Sequence, residues 1–260
     1  MNNNRTARFL LVAGGVLAAA SSVALGEIGA GFVVQLGADD VAAAAALSRT
    51  GRNLIQVLDT RADRVVAAQA KLRAQGRYGL VSAALVDSYE PLPYAENLVN
   101  HAIVTRAGAS AKELFRVIAP GGALAVSPAG ALTQAQLGAA GFEGVAASGG
   151  GLTARKPWPS AMDGWSHPRH GADGNAVSDD TAVGPPDRIR WVAGATHEVE
   201  GIVTAGGRNF YGGILARDSF NGLRLWNRDL GRAQSSLASF MLPRLAGNRA
   251  RPVACGTHVV

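Results

Sequence analysis

The sequence is poor in cysteine, in charged residues and in aromatic side chains. Its single cysteine, Cys255, excludes an intrachain disulfide and a thiolate metal cluster. Charged residues make up 17% of the 260 residues and hydrophobic residues 48%, a balance that excludes the composition of disordered chains. The length is sufficient for one large domain or two small ones, each with its own core.

The chain also lacks any cluster of basic residues. Its formal net charge is +6 and its sequence pI is about 10.1. However, the 25 lysines and arginines are scattered, and the aromatic residues, 6% of the chain, do not alternate with them to form a stacking platform. We therefore predict no nucleic-acid partner.

The N-terminus has the layout of a secretory signal. Arg5 and Arg8 precede an apolar stretch at 9–25, and small residues lead up to Glu27. The stretch is 17 residues long, which is short for a membrane span of about 20. We predict a signal peptide at 1–26 and a periplasmic or secreted protein. An uncleaved signal anchor is the alternative, and no other transmembrane span is expected.

Between residues 27 and 150, apolar runs alternate with helical segments. The predicted strands and helices are strands at 31–36, 54–58, 80–86, 98–104 and 123–127, and helices at 41–49, 61–75 and 112–118. Alternation of this kind is typical of a parallel sheet with right-handed crossovers. We therefore predict an α/β Rossmann-like domain with a parallel sheet over residues 27–150.

Two residues indicate a nucleotide-type site at the carboxyl edge of the predicted sheet. Gly37 lies in the turn between the first strand and the first helix, where backbone N–H groups face this edge. Asp59 ends the next strand, 22 residues later, where a carboxylate can accept hydrogen bonds from both ribose hydroxyls. No nucleophile–base pair or carboxylate dyad stands out, so no catalytic residue is predicted.

Four segments, in order, resemble the class I S-adenosylmethionine-dependent methyltransferases. The segments are VVQLG at 33–37, VLD at 57–59, Asp87 with LPYAENLVN at 92–100, and ELFRVIAPGG at 113–122. The resemblance implies that Gly37 lies beneath the methionine part of the cofactor and that Asp59 holds the ribose hydroxyls. It also implies that Asp87 approaches the adenine amino group, with S-adenosylmethionine as the cofactor of an active enzyme.

The cofactor loop departs from this family at three positions. Where the family pattern is acidic-x-G-x-G-x-G, this chain has Gln35 at the acidic position, and Asp39 and Val41 at the second and third glycines. A side chain at a glycine position occupies the space of the approaching cofactor. The predicted export is a second objection, since S-adenosylmethionine is made and used in the cytoplasm. We therefore predict a degenerate, non-catalytic domain without a cofactor; an active methyltransferase is the alternative.

Glycine and proline interrupt the chain from residue 148, and the region that follows is rich in β signals. We predict a loop-rich linker at 151–187 and β structure at 188–260. The predicted strands are 189–192, 198–205, 210–218 and 223–230. Asn221-Gly222 is the strongest hairpin signal, because a type I′ turn needs φ > 0 at both central positions.

Residues 215–226 resemble the repeat of pyrroloquinoline-quinone-type β-propellers. In that repeat Asp218 would accept backbone N–H groups around the turn, and Trp226 would pack between neighbouring blades. A propeller has typically about 4–8 blades. We therefore predict an antiparallel β propeller-blade segment, one blade plus the start of another, in an N-terminal fragment of a longer protein. The propeller would bind an unknown protein or polymer partner; a quinoprotein oxidoreductase in the full-length chain is a further alternative.

Four residues in the linker raise the question of a metal site: His167, His170, Asp173 and Asn175. Their spacing fits neither the H-E-x-x-H helix of zinc enzymes nor the calcium-binding loop of an EF-hand. We predict instead a turn-rich strap held by its own side-chain hydrogen bonds, with no bound metal.

Overall fold

The computed structural model describes residues 29–185, 189–193, 202–211, 215–228, 253–255 and 258–259. The predicted signal peptide lies outside these residues. Among the residues described, no helix is long and apolar enough to cross a membrane. A seven-stranded sheet and a four-stranded sheet supply most of the regular β structure.

The seven-stranded sheet forms the first domain. Its strands are β1 (Gly31–Leu36), β2 (Asn53–Asp59), β3 (Val81–Leu85), β4 (Val99–Val104), β5 (Ile118–Val126), β6 (Glu143–Ser148) and β7 (Gly151–Arg155). Their order across the sheet is β3-β2-β1-β4-β5-β7-β6. The first five strands are parallel, and β7 runs antiparallel to both β5 and β6. The predicted Rossmann-like fold is therefore confirmed, as a mostly parallel sheet.

Helices cover both faces of this sheet. They are α1 (Ala42–Ser48), α2 (Ala62–Ala74), α3 (Ala111–Val117) and α4 (Gln134–Ala139). Leu72 of α2 packs with Ile55 in the core on one face, and Leu114 of α3 packs with Leu124 on the other. Strands buried on both faces are continuous apolar runs, which explains why their positions are readable from the sequence.

The sheet continues beyond the predicted domain boundary near residue 150. Gly149 and Gly150 have φ values of +56° and +81°, and Ser148 pairs with Gly151 across them. The glycines that suggested a linker thus form a two-residue hairpin between β6 and β7, since Gly-Gly readily adopts φ > 0 at both positions. The predicted strand 123–127 also starts earlier than expected, at Ile118, because β5 includes the Pro120-Gly121-Gly122 segment.

Lys156, directly after β7, fastens this last strand to α3. Its Nζ donates to the carbonyls of Phe115 and Ile118, at 2.6 and 2.9 Å, and to Asn97 Oδ1 at 2.6 Å. These carbonyls lie at the C-terminal end of α3, where a positive charge is favourable. Burial lowers the pKa of Lys156 to about 8. The contact shows that the first domain extends to at least this residue.

The four-stranded sheet is antiparallel. Its strands are β8 (Ile202–Ala205), β9 (Arg208–Tyr211), β10 (Leu215–Asp218) and β11 (Arg224–Asn227), in the order β11-β10-β9-β8. The predicted strand 210–218 is thus divided between β9 and β10, with 212–214 outside the described residues. The ends of the predicted strands 198–205 and 223–230 likewise extend beyond them.

The predicted strand 189–192 is wrong, since residues 189–193 form no strand. Trp191 packs instead on the turn of the β10–β11 hairpin, and its Nε1 donates to the carbonyl of Ser219 at 3.1 Å. A Cβ at Gly222 would lie 2.4 Å from the Trp191 ring. A bulky apolar residue that covers a turn and one that lies in a strand give the same local signal.

The turn of this hairpin binds the first domain. Asn221 Nδ2 donates to the carbonyl of Leu98 at 3.0 Å and to Asn100 Oδ1 at 2.9 Å. Asn100 Nδ2 donates in turn to Asp218 Oδ2 at 2.7 Å. Since these contacts lie at the start of β4, the small sheet is docked at the amino edge of the large sheet, away from the predicted cofactor edge.

Candidate cofactor cleft

Gly37, the predicted contact to the methionine part of the cofactor, is enclosed by the protein. Its φ is +106°, and its N–H donates to the carbonyl of Leu58 at 2.8 Å. A Cβ at this position would lie 2.4 Å from Thr105 Oγ1 and 3.1 Å from the Cβ of Arg106. Close packing against the end of β4 therefore explains why this position requires glycine, and the explanation involves no cofactor.

Gln35, at the family's acidic position, ties the loop to itself. The side chain is fully buried, and its Nε2 donates to the carbonyl of Gly37 at 2.8 Å and to that of Asp40 at 2.7 Å. Because both partners are acceptors, only an amide or another donor satisfies them, and a carboxylate would not. In the sequence, Gln35 was interpreted as a departure that damages the cofactor loop. In the structure, its side chain makes hydrogen bonds that hold this loop closed.

Asp59, the predicted ribose contact, is inaccessible to a ligand. Its relative exposure is 0%. Oδ2 accepts the N–H of Ala38 at 2.8 Å, and Oδ1 accepts the N–H of Arg61 at 2.9 Å. Both carboxylate oxygens thus already bind backbone donors, one of them in the loop that would have to contact the cofactor. Asp59 was predicted to accept hydrogen bonds from ribose hydroxyls, whereas the partners in the structure are backbone N–H groups of the protein itself.

Asp39, at the position of the family's second glycine, forms an ion bridge across the cleft. Its Oδ1 lies 2.9 Å from Nε of Arg64 on α2, and its Oδ2 binds the guanidinium of Arg106 after β4. These two arginines follow β2 and β4, the strands that flank β1 in the sheet. Val41, at the third glycine position, is buried beneath α1 in the core.

Tyr89 is buried in the same region and adds bulk to it. Its hydroxyl donates to the carbonyl of Leu58 at 3.2 Å, and its ring lies 2.8 Å from the position of a Cβ at Gly108. Burial, and then the nearby Asp59 carboxylate, raise the pKa of Tyr89 to about 12.

Asp87, the third predicted contact, is exposed just after β3. Sequence reasoning missed Tyr89 and both bridging arginines, which no motif marked.

Histidine 101, which follows the LPYAENLVN segment, is buried in β4. It pairs with Val33 of β1 and Ala123 of β5, and its Nδ1 has no hydrogen-bond partner among the described residues. Burial, and to a lesser degree the charge of Arg155, lower the pKa of His101 to about 4. The histidine is therefore neutral in the folded protein at neutral pH.

Because His101 is buried and neutral, we expect the stability of the protein to be sensitive to acid. An unfolded histidine has a pKa of about 6.5, so between that pH and about 4 the unfolded chain binds a proton that the folded one does not. Stability should therefore fall as the pH drops through this window, by about 3 kcal/mol in all. In urea titrations from pH 7 to 4, His101→Leu should lose less stability than the parent. An equal loss in both proteins would contradict a buried neutral His101.

Comparison with known proteins gives structural neighbours and no sequence relative. No protein-family model matches the chain, and no curated protein matches it in sequence. One similar solved structure is the 4+2 cyclase SpnF, at 19% identity and a TM-score of 0.42, over 50% of this chain and 77% of that one. Another is a SAM-dependent methyltransferase from Aquifex aeolicus. It is 18% identical, with a TM-score of 0.39, over 48% of this chain and 81% of that one.

A third neighbour is described as a putative S-adenosyl-L-methionine-dependent methyltransferase from Methanococcus maripaludis. It is 12% identical, with a TM-score of 0.43, over 55% of this chain and 85% of that one. Likeness at these identities and scores carries no conclusion about activity. The Rossmann-like fold of this chain rests on its own strand order and strand directions.

Proposed function

We propose that the first domain is a non-catalytic scaffold with a methyltransferase-like fold, in which the cofactor cleft is closed by the protein's own side chains. The observation that carries this proposal is the state of Asp59, which is fully buried with both carboxylate oxygens bound to backbone N–H groups. A ribose could reach this carboxylate only after the loop gave up two buried hydrogen bonds. Those groups would then need new partners, because unpaired buried donors are costly.

Three further contacts support the same proposal. Gln35 binds two carbonyls of the loop, Asp39 joins Arg64 to Arg106, and Tyr89 is buried against the end of β2. These contacts hold the loop between β1 and α1 and the end of β2 in the arrangement that we interpret as closed to S-adenosylmethionine. An active methyltransferase, the alternative, needs an open cleft and gains no support from the contacts observed.

Replacing Asp59 by asparagine tests whether this carboxylate has a structural role. An asparagine offers one acceptor oxygen, so its amide would face the N–H of Ala38 or Arg61 donor to donor. We expect a loss of about 1–3 kcal/mol in the free energy of unfolding without any ligand, measured by urea denaturation.

The matched control for this variant is Asp87→Asn at the other predicted acidic contact. Asp87 is exposed, so its replacement should change stability by about 0.5 kcal/mol or less. If Asp59→Asn were as stable as the parent, the structural role of Asp59 would be contradicted. A role of Asp59 in binding a ligand would then be favoured.

We further propose that the four-stranded sheet belongs to a propeller-type interaction module in an exported protein. The proposal is supported by the four strands, which follow one another as an antiparallel meander, as in a propeller blade. Asp218 also accepts the N–H groups of Phe220 and Asn221, at 2.8 and 3.0 Å, as expected for the repeat. A protein or polymer partner is the proposed ligand of this module.

Export is testable at the N-terminus of the protein recovered from cells. If the proposed signal peptide is cleaved, N-terminal sequencing of the periplasmic or secreted protein should begin at Glu27. A protein that stays in the cytoplasm with Met1 or Asn2 at its start would contradict the proposal. It would also remove the objection to an active methyltransferase that is based on location.

A further inference from the structure

Three metal-ligating side chains meet in the segment between the two sheets. They are Asp163, His170 and Asp179, and one ligand atom from each lies within 4.8 Å of the other two. His170 Nε2 and Asp163 Oδ2 are hydrogen-bonded to each other at 2.6 Å, so an ion bound by both atoms would displace the proton between them into solvent. The set shares His170 with the four residues whose spacing was considered in the sequence, and its two carboxylates are different ones. Residues 163 and 179 are too far apart along the chain for their meeting to be read from a short motif.

Two of the three ligands are held in place by the surrounding chain. Asp163 Oδ1 accepts the N–H of Gly164 at 2.6 Å, and its Oδ2 accepts the hydroxyl of Ser178 at 3.1 Å. The ring of His170 packs against the ring of Trp165, with centroids 5.2 Å apart. Positions fixed in this way lower the cost of assembling a metal site, since less freedom is lost on binding.

The third ligand is free to turn toward an ion. The backbone N–H of Asp179 donates to Asp163 Oδ2 at 2.9 Å, which places its side chain beside the other two. In the part of the chain that the structure describes, the Asp179 carboxylate itself accepts no hydrogen bond. It therefore has both oxygens available for coordination, and replacing it leaves the backbone contact in place.

The donor set selects the class of ion. One imidazole nitrogen with two carboxylate oxygens suits a borderline divalent ion such as Zn²⁺, whereas Mg²⁺ and Ca²⁺ prefer oxygen alone. Such a ligand set leaves coordination positions for water or a substrate group. A cavity of about 400 Å³, lined in part by Asp163, Trp158 and Phe220, lies directly beside it.

We propose that Asp163, His170 and Asp179 bind one divalent metal ion of the Zn²⁺ class. The ion would join the two ends of the 163–179 loop to His170 at its middle. This loop is attached to the small sheet through Trp165, whose N–H and carbonyl both pair with Thr204 of β8, at 2.8 Å. Metal binding would therefore fasten the loop beside the 400 Å³ cavity. The inference is independent of whether the first domain binds a cofactor.

Calorimetric titration of the full chain with ZnCl₂, after treatment with a chelator, tests the site. We expect one ion per chain, and we expect Asp179→Asn to raise the Kd for Zn²⁺ by about tenfold or more. The matched control is Asp173→Asn, which removes the same charge nearby, where Asp173 Oδ1 accepts the N–H of Asn175. Its effect, through screened charge alone, should be about threefold or less.

Each outcome of this titration either supports or overturns the proposed metal site. Absence of Zn²⁺ binding, equal weakening by the two variants, or tighter binding of Ca²⁺ than of Zn²⁺ would each overturn the proposal. Zn²⁺ bound equally well by Asp179→Asn and the parent would place the ion elsewhere, for example at the exposed Cys255. Because Asp179 is exposed, its variant should unfold at the same temperature as the parent without metal, and at equal Zn²⁺ concentration its rise in Tm should be smaller than in the parent and the control.

Discussion

Replacing Gln35 by glutamate is expected to lower the free energy of unfolding by about 3–5 kcal/mol at pH 7. The side chain is fully buried, and its amide donates to the carbonyls of Gly37 and Asp40. A glutamate of the same size would place an unpaired negative charge against these two oxygens. Burial of such a charge is much more costly than the loss of one hydrogen bond.

The cost of this glutamate should depend on pH with a defined sign. An unfolded glutamate has a pKa of about 4.3, and burial against carbonyls would raise the pKa of the folded one. The variant's stability should therefore decrease as the pH rises above about 4.3, and it should recover in part at pH 4.

Gln35→Met is the matched control, since it keeps the size and carries no charge. It leaves the two carbonyls without donors and should cost about 1–3 kcal/mol at every pH. Urea denaturation of both variants at pH 4 and pH 7 measures the difference. A Gln35→Glu protein as stable as the parent would show that this side chain does not close the loop.

Replacing Gly37 by alanine should also cost about 3–5 kcal/mol, in the absence of any cofactor. A φ of +106° is strained for alanine, and the new Cβ would lie 2.4 Å from Thr105 Oγ1. Thr105 cannot move freely, because its hydroxyl donates to the carbonyl of Leu36 at 2.8 Å. The loop or the end of β4 would have to shift.

Gly138→Ala is the matched control for this variant. Gly138 lies in α4, and nothing lies within 4 Å of a Cβ built there. Alanine is favoured over glycine in a helix, so this control should gain about 0.5–1 kcal/mol. If Gly37→Ala were as stable as the parent, the glycine would be explained by an approaching ligand and not by packing.

Much of the first domain could be predicted from the sequence because its strands are buried on both faces. Runs such as 31–36 and 54–58 are apolar apart from one glutamine each, and each lies within one residue of its observed strand. The last hairpin was missed. Gly149 and Gly150 give the same signal in a tight turn as in a linker, and the six residues of β6 are mostly exposed.

The candidate site was predictable only in part. Gly37 and Asp59 stand at the ends of neighbouring strands, and topology alone places them at one edge of the sheet. The side chains that close this edge come from distant segments of the chain. They are Arg64 from α2, Tyr89 from the loop after β3, and Arg106 from the end of β4. Single residues without spacing constraints leave no local pattern, so their convergence depends on the fold.

The hairpin at Asn221-Gly222 shows the same division between local and long-range information. Asn221-Gly222 correctly predicted the place of the turn, but the type I′ geometry is wrong: Gly222 has a φ of +72°, whereas Asn221 has no positive φ. The turn is longer, from Asp218 to Leu223, and the Asp218 carboxylate binds the N–H groups of Phe220 and Asn221 within it. Its docking to Asn100 was not predicted, since the two asparagines are more than a hundred residues apart. Local chemistry fixes the turn, whereas the geometry of the whole chain decides what the turn binds.

Calorimetric titration of the full chain with S-adenosylmethionine and S-adenosylhomocysteine is the most direct test of the closed cleft. With Gln35, Asp39 and Asp59 in their observed contacts, the prediction is no saturable binding, with any Kd weaker than about 1 mM. A Kd on the order of 1 μM for either ligand would contradict the account and favour an active methyltransferase site.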